Sequence, residues 1–148
     1  MMTPDKDFAQ LVSENIFMFK PGRGGNPAEI WGIPEVCEKF EVTDPSQVID
    51  ILGLWGDAAD NIPGIPGIGE KTSKKLVAQY GSVEGLIAHA EELKGKQKEN
   101  VINFAEQGLL SKQLATIITD VDVEFNENEL VMCDVDADLV REVFTELE

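Results

Sequence analysis

Apolar and polar positions divide the chain into a short extended start and a long helical body. Thr3 to Leu11 reads as a loop entering a helix: Thr3 can cap, Pro4 suits a first turn, and Asp5 and Asp7 favour a helix N-terminus. Asn15 to Phe19 then carries apolar side chains without alternation, the pattern of a strand covered on both faces as in a parallel sheet. No later segment offers it a partner of that kind. The strand therefore reads as having lost its sheet because the chain is part of a longer protein, as a buried loop, or as a strand paired in a dimer. Lys20 to Pro27, rich in glycine with two prolines, reads as a flexible loop and a boundary.

Beyond it the period is helical. Pro34 to Phe40 predicts a short helix. Asp44-Pro45 supplies an N-cap and a first-turn proline for a second, through Val48, Ile49, Leu52 and Trp55. Thr72 to Tyr80 places Leu76, Val77 and Tyr80 on one face and ends at Gly81. Val83 to Ala90 and Asn100 to Gln107 continue the pattern, with Gly108 as a stop, and Leu109 to Ile118 is helical again. Val121 to Phe125 reads as extended, and Asp136 to Leu147 as a closing helix with Leu139, Val140, Val143 and Phe144 facing inward. The body is mainly α.

With 148 residues, 43% apolar, the chain can bury one core. It has no run long enough to span a bilayer, and its first twenty residues, with three acidic side chains and no apolar h-region, do not read as a signal peptide, so a cytoplasmic protein is expected. Cys37 and Cys133 have no second Cys or His at ligand spacing and read as buried thiols. A net charge of −16 repels a phosphate backbone. The distribution changes that picture, because Ile62 to Gly81 holds Lys71, Lys74 and Lys75 against Glu70 alone. The acidic clusters at Glu124 to Glu129 and Asp134 to Asp138 read as solvated faces.

Candidate chemistry concentrates between Gly56 and Thr72. Asp57 and Asp60, three apart at the predicted end of a helix, share a face and could share a hard cation such as magnesium or manganese. Ordinary polar residues at a helix C-terminus are the alternative that these positions leave open. Gly64-Ile-Pro-Gly-Ile-Gly69 forms a turn whose glycines let a phosphate approach backbone N–H groups. It runs into a helix N-terminus followed by Lys71, Lys74 and Lys75, a cradle without base contacts. A P-loop is rejected, since Glu70 stands where lysine must follow the second glycine. Asp5-Lys6-Asp7 is a third, weaker device that could add oxygen ligands. Asp134-x-Asp136-x-Asp138 fails as a calcium loop, with Leu139 where glycine is required and Thr145 where a glutamate is required. His89, beside Glu91 and Glu92, reads as a surface residue.

Thr3-Pro-Asp-Lys-Asp-Phe-Ala-Gln-Leu-Val12, Gly56-Asp-Ala-Ala-Asp-Asn-Ile-Pro-Gly64, the turn through Gly69-Glu-Lys-Thr72, and Gln113-Leu-Ala-Thr-Ile117 together resemble the 5′-3′ exonuclease (flap endonuclease-like) domain of bacterial DNA polymerase I. The likeness is collinear from Asp5 to the end. It implies a helix-hairpin-helix, or helix-three-helix, 5′-nuclease C-terminal subdomain with a short N-terminal α/β remnant: residues 1–20 left from the catalytic domain and 21–148 the helical DNA-binding part.

By that resemblance Asp5, Asp7, Asp57 and Asp60 are ligands toward the second of two magnesium (or manganese) ions. The backbone carbonyls of Gly64, Ile65 and Ile68 match positions that hold a potassium ion, and Gly67, Gly69, Lys71, Thr72, Lys74 and Lys75 contact DNA. The implied partners are a 5′-flap or nicked duplex, gripped without regard to sequence, and the amino-terminal nuclease half and polymerase domain of the same protein. The implied reaction is metal-assisted phosphodiester hydrolysis in primer removal and repair. The first metal's ligands belong to the absent half, so this chain is expected to bind DNA with little or no cleavage of its own, and its first twenty residues to be loosely held. The competing expectations are a nuclease active as it stands and a non-catalytic helix-hairpin-helix module for DNA or protein contacts.

Overall fold

The computed structural model describes residues 1–22, 24–132 and 134–147, so the expectation for Cys133 lies outside the described residues. Contacts divide the chain into two units, Met1–Ile117 and Ile118–Glu148.

The first unit opens with a 3-10 helix, Lys6–Leu11, capped by Asp5 rather than Thr3. Strand β1 (Met18–Lys20) pairs antiparallel with β2 (Glu29–Trp31), Met18 opposite Trp31 and Lys20 opposite Glu29. This corrects the orphan strand: its partner lies just across the glycine-rich loop, where the short run at Glu29 to Trp31 gives too little pattern to be seen. The opening segment is not loosely attached either. Ala9, Val12 and Met18 are buried in the core. Gln10 donates to the carbonyls of Asp7 and Ala115, each at 2.9 Å, and accepts from the Ile117 amide at 2.9 Å. One buried amide thus ties the chain start to a helix end more than a hundred residues on in sequence.

Helix α1 (Ile33–Phe40) starts where Glu35 accepts from the Gly32 N–H at 2.8 Å. Asp44 caps a 3-10 turn at Pro45–Gln47 that runs into α2 (Val48–Trp55). Helix α2 buries Val48, Ile51, Leu52 and Leu54, so it is apolar nearly all round and occupies the centre, packed against α3 (Glu70–Tyr80) and α6 (Ala105–Ala115). Helix α4 (Val83–Ala88) is capped by Ser82, whose hydroxyl accepts from Gly85 N at 3.0 Å, and α5 (Gly95–Asn103) leads to α6.

Gly108 does not stop a helix; it lies inside α6 and is buried. A Cβ there would come within 2.9 Å of Ile65 Cδ1, so glycine marks a close approach of α6 to the glycine-rich turn. Asp50, buried on α2, accepts from Val83 N at 2.9 Å and pairs with Lys112 Nζ at 2.6 Å, while Lys112 also reaches Glu84 at 2.7 Å. These contacts pin α2, α4 and α6 to one another. Cys37 is a half-buried free thiol against the core, and burial raises its pKa.

The second unit holds a 3-10 turn at Glu127–Leu130 and helix α7 (Ala137–Leu147). Val121 to Phe125 forms no strand. The apolar stripe of α7 exists, but Leu139, Val140, Val143 and Phe144 are exposed rather than inward-facing. An amphipathic pattern identifies a face suited to burial and does not say that the chain supplies the cover.

Candidate metal and nucleic-acid site

Two consecutive turns carry the candidate site. Helix α2 ends at Trp55, and Gly56, at φ 79°, takes the chain out of the helix. Asp57 and Asp60 therefore do not project from a helix face. They sit in a tight reversal closed by Asp57 N to Ile62 O at 2.9 Å and Ile62 N to Asp57 O at 2.8 Å, with Asn61 in the left-handed region at φ 57°. Asp57 is only 8% exposed; one of its oxygens accepts from Ala59 N at 2.9 Å and the other from the ammonium of Lys6.

That reversal faces the 3-10 helix from the chain start. Asp7, Asp57 and Asp60 each bring a carboxylate oxygen to within 4.8 Å of the others, the one such acidic group among the described residues. Asp5 is not among them; its carboxylate accepts from the Asp7 N–H at 3.1 Å. Lys6 reaches in beside the three, bonded to Asp57 and 3.9 Å from Asp7 Oδ1, with its ammonium 5.6 Å from the centre of the Trp55 ring. Asp7 Oδ1 is buried without a hydrogen-bond partner. Burial, then the neighbouring Asp5 charge, raises the Asp7 pKa, whereas the Lys6 hydrogen bond holds the Asp57 carboxyl below its ordinary range. A buried anionic oxygen without a donor is costly in isolation and suits a hard cation.

The second turn, Gly64 to Gly69, is anchored from beneath. Ile65 and Ile68 are buried, Ile65 N donates to Leu54 O at 2.8 Å, and Ile68 N to Ile65 O at 3.0 Å. Helix α6 holds the Gly64 peptide from both sides: Ser111 Oγ accepts from Gly64 N at 3.0 Å, and Gln107 Nε2 donates to Gly64 O at 2.7 Å. Asn100 on α5 donates to Pro66 O at 2.6 Å. Gly69 then opens α3 without a side-chain cap, which leaves first-turn N–H groups available to an anion.

The turns meet back to back. A Cβ at Gly64 would lie 2.5 Å from Gly56 N, and a Cβ at Gly56 would lie 2.9 Å from Gly64 N. Only two glycines fit at this neck.

Lysines at the start of α3 divide. Lys71 and Lys75 are exposed, and Thr72 is half-buried at the edge of an open groove also lined by Gly67, Lys96 and Asn100. Lys74 is buried: its ammonium donates to the Lys39 carbonyl at the end of α1 at 3.0 Å and pairs with Glu70 at 2.8 Å. Of the three lysines expected to meet a phosphate, Lys74 thus differs in already facing a helix C-terminus and a neighbouring carboxylate. His89 is exposed, its Nδ1 2.8 Å from the Gly85 carbonyl and its ring stacked on Tyr80.

Sequence reasoning missed Lys6 as an occupant of the acidic group, and Gln107, Ser111 and Asn100 as supports of the turn. The spacing of Gln107 and Ser111, four apart around the small residue Gly108, was the available signal.

The profile of a family described as "5′-3′ exonuclease, C-terminal SAM fold" matches residues 43–138. The chain is 40% identical over 144 residues to DNA polymerase I of Bacillus subtilis, a match covering 97% of this chain and 16% of that protein. It is 36% identical over 146 residues to a 5′-3′ exonuclease of Aquifex aeolicus, covering 99% of this chain and 48% of that one. In fold it is similar to a bacteriophage T5 flap endonuclease solved as a pseudo-enzyme-product complex with DNA and metal ions, with TM-score 0.66 and 23% identity over 77% of this chain and 41% of that one. The chain thus spans about one-sixth of the polymerase and about half of the Aquifex protein. No helix among the described residues is long and apolar enough to cross a membrane.

Proposed function

We propose, because this chain belongs to the 5′-3′ exonuclease family through its C-terminal fold, that it grips duplex DNA without regard to sequence and supplies part of the second metal site for phosphodiester hydrolysis. The observation that carries this reading is the glycine neck, which sets an anion-receptive turn directly against three converging carboxylates. A 5′-flap or nicked duplex is the substrate that such a pairing suits, with primer removal and repair as its use and the bacterial cytoplasm as its place.

In this reading the N–H groups of Gly67 and Gly69 and of the first two residues of α3, Glu70 and Lys71, receive a backbone phosphate, while Lys71, Thr72 and Lys75 add charge and a hydroxyl. The recognition involves no base edges, so affinity falls steeply with salt. Asp7, Asp57 and Asp60 hold a divalent ion, magnesium or manganese, and the unpartnered oxygen of Asp7 is the feature that fits one. Asp5 positions Asp7 through its backbone N–H and is a more distant contributor. When bound, the ion would supply Lewis-acid stabilisation of the phosphodiester oxygens. The carbonyls of Gly64, Ile65 and Ile68 would take a potassium ion. Those of Gly64 and Ile65 already accept one hydrogen bond each, which leaves a lone pair on each for the purpose.

One acidic group cannot clamp both attacking and leaving oxygens, so cleavage would draw on further ligands and on the nuclease and polymerase parts that the longer relatives contain. The test is binding of a fluorescent 5′-flap duplex at low and moderate salt with magnesium and potassium present, followed on the same samples by a cleavage gel. Salt-sensitive binding without cleavage is expected. Cleavage lost on Asp57→Asn would show that the group suffices alone, and absence of binding would overturn the DNA-binding reading.

A further inference from the structure

Lys6 stands between Asp57 and Asp7, two of the three aspartates proposed to serve one ion, yet a cation in that place is the opposite of what a divalent site needs. Its ammonium is bonded to Asp57 and lies 3.9 Å from Asp7 Oδ1, two of the three carboxylates whose oxygens gather within 4.8 Å of one another. We propose that Lys6 is a built-in placeholder: its ammonium neutralises the acidic group when no divalent ion is present, and its departure from Asp57 accompanies ion binding. The inference rests on the metal-binding reading above and adds to it an occupant that the ion must displace.

Three observations carry it. Three carboxylates whose oxygens lie within 4.8 Å repel one another, and Asp57 is buried, so some cation must offset them for this arrangement to persist. Lys6 alone among the described lysines and arginines forms an ion pair with Asp57 or Asp7. It also has room to leave once another cation takes over that role, because its side chain is 35% exposed and lines an open pocket with Trp55, Asp57 and Asn61. An ammonium on a flexible stem meets one carboxylate well and leaves Asp7 Oδ1 without a hydrogen bond, whereas a divalent ion can serve several oxygens at once. The placeholder therefore keeps the site formed, and any ion that enters must displace it.

The test is Mn2+ titration of the full chain, followed by calorimetry and by the electron paramagnetic resonance of free Mn2+, for the parent, Lys6→Met and Lys94→Gln. Methionine keeps the alkyl stem beside Trp55, and Lys94→Gln makes the same change in net charge at an exposed position outside the site. Lys6→Met should bind Mn2+ on the order of tenfold more tightly and melt at a lower temperature without metal, with the deficit removed by saturating Mn2+. Lys94→Gln should match the parent. If parent and Lys6→Met bind equally, or Lys6→Met binds less tightly, the placeholder role is overturned while the metal site stands. Equal tightening by Lys94→Gln would assign the effect to net charge and overturn it too. If none of the three binds Mn2+, the metal-site reading falls, and the placeholder falls with it.

Discussion

Gln107 donates its side-chain amide to the Gly64 carbonyl across 2.7 Å, so a residue 43 positions downstream holds the first glycine of the glycine-rich turn. Ser111, one helical turn further along α6, completes the grip by accepting from the Gly64 N–H. The turn is thus positioned by α6 as much as by its own glycines.

Removing the hydroxyl should reveal that dependence. Ser111→Ala leaves the buried Gly64 N–H unpaired and is expected to cost about 1–3 kcal/mol. Urea denaturation measures the loss, and flap-duplex affinity should fall with it while Mn2+ affinity stays close to the parent value.

The two lysine positions that face solvent should separate from the one that does not. Lys71→Ala with Lys75→Ala is expected to lower duplex affinity and to reduce the slope of log affinity against log salt by about 0.9 for each phosphate that is no longer neutralised. Lys74→Ala should leave that slope unchanged and lower the melting temperature instead, because it strips a cap from α1 and the partner from Glu70.

Steric limits at two glycines should differ in severity. A Cβ at Gly53 would meet the Lys112 backbone, Cα at 2.9 Å and N at 3.1 Å, so α2 and α6 would have to separate. Gly53→Ala is expected to cost about 1–3 kcal/mol. Gly108→Ala is crowded by the side chain of Ile65, which can rotate, and meets Val83 Cγ1 at an ordinary 3.7 Å, so denaturation should show a smaller loss and DNA binding the larger one, through displacement of the turn.

The Asp50, Lys112 and Glu84 network should write itself into the pH profile. The Lys112 hydrogen bond lowers the Glu84 pKa below its ordinary 4.5, so that part of the stability is present above 4.5 and is lost as pH falls through the depressed value. Burial works against the Lys112 charge, but Asp50 and Glu84 outweigh it and raise its pKa above 10.5. Its contribution is full below 10.5 and lost as pH rises through the elevated value. The network thus gives a plateau between these limits. Lys112→Met should lower the plateau and flatten its acid edge, as denaturant titrations at several pH values would show.

Motifs whose geometry is local are legible in the chain. Gly64 to Gly69 could only be a glycine-permitted turn, and Asp44-Pro45 could only open a helix. Asp57 and Asp60 come together as expected of a shared cation, but on a β-type reversal, because the positive φ of Gly56 ends α2 before either aspartate. The burial of Lys74 and the place of Gly108 inside α6 escape the pattern for one reason. A lysine in a basic run and a glycine in a helical run take their meaning from what packs against them, here the end of α1 and the side chain of Ile65. The partner of β1 is obscured because a three-residue strand carries too little alternation to register. The stripe of α7 is visible, while its exposure depends on neighbours that no periodicity encodes.

The meeting of Gly56 and Gly64 makes the Asp57–Asp60 reversal and the glycine-rich turn a caliper with fixed jaws. Its opening is set by main-chain atoms packed against each other, with no side chain between them whose length could vary. Anything seated on the turn would therefore meet the Asp57–Asp60 reversal at one separation, and a substitution that lengthened a side chain elsewhere would not reset it.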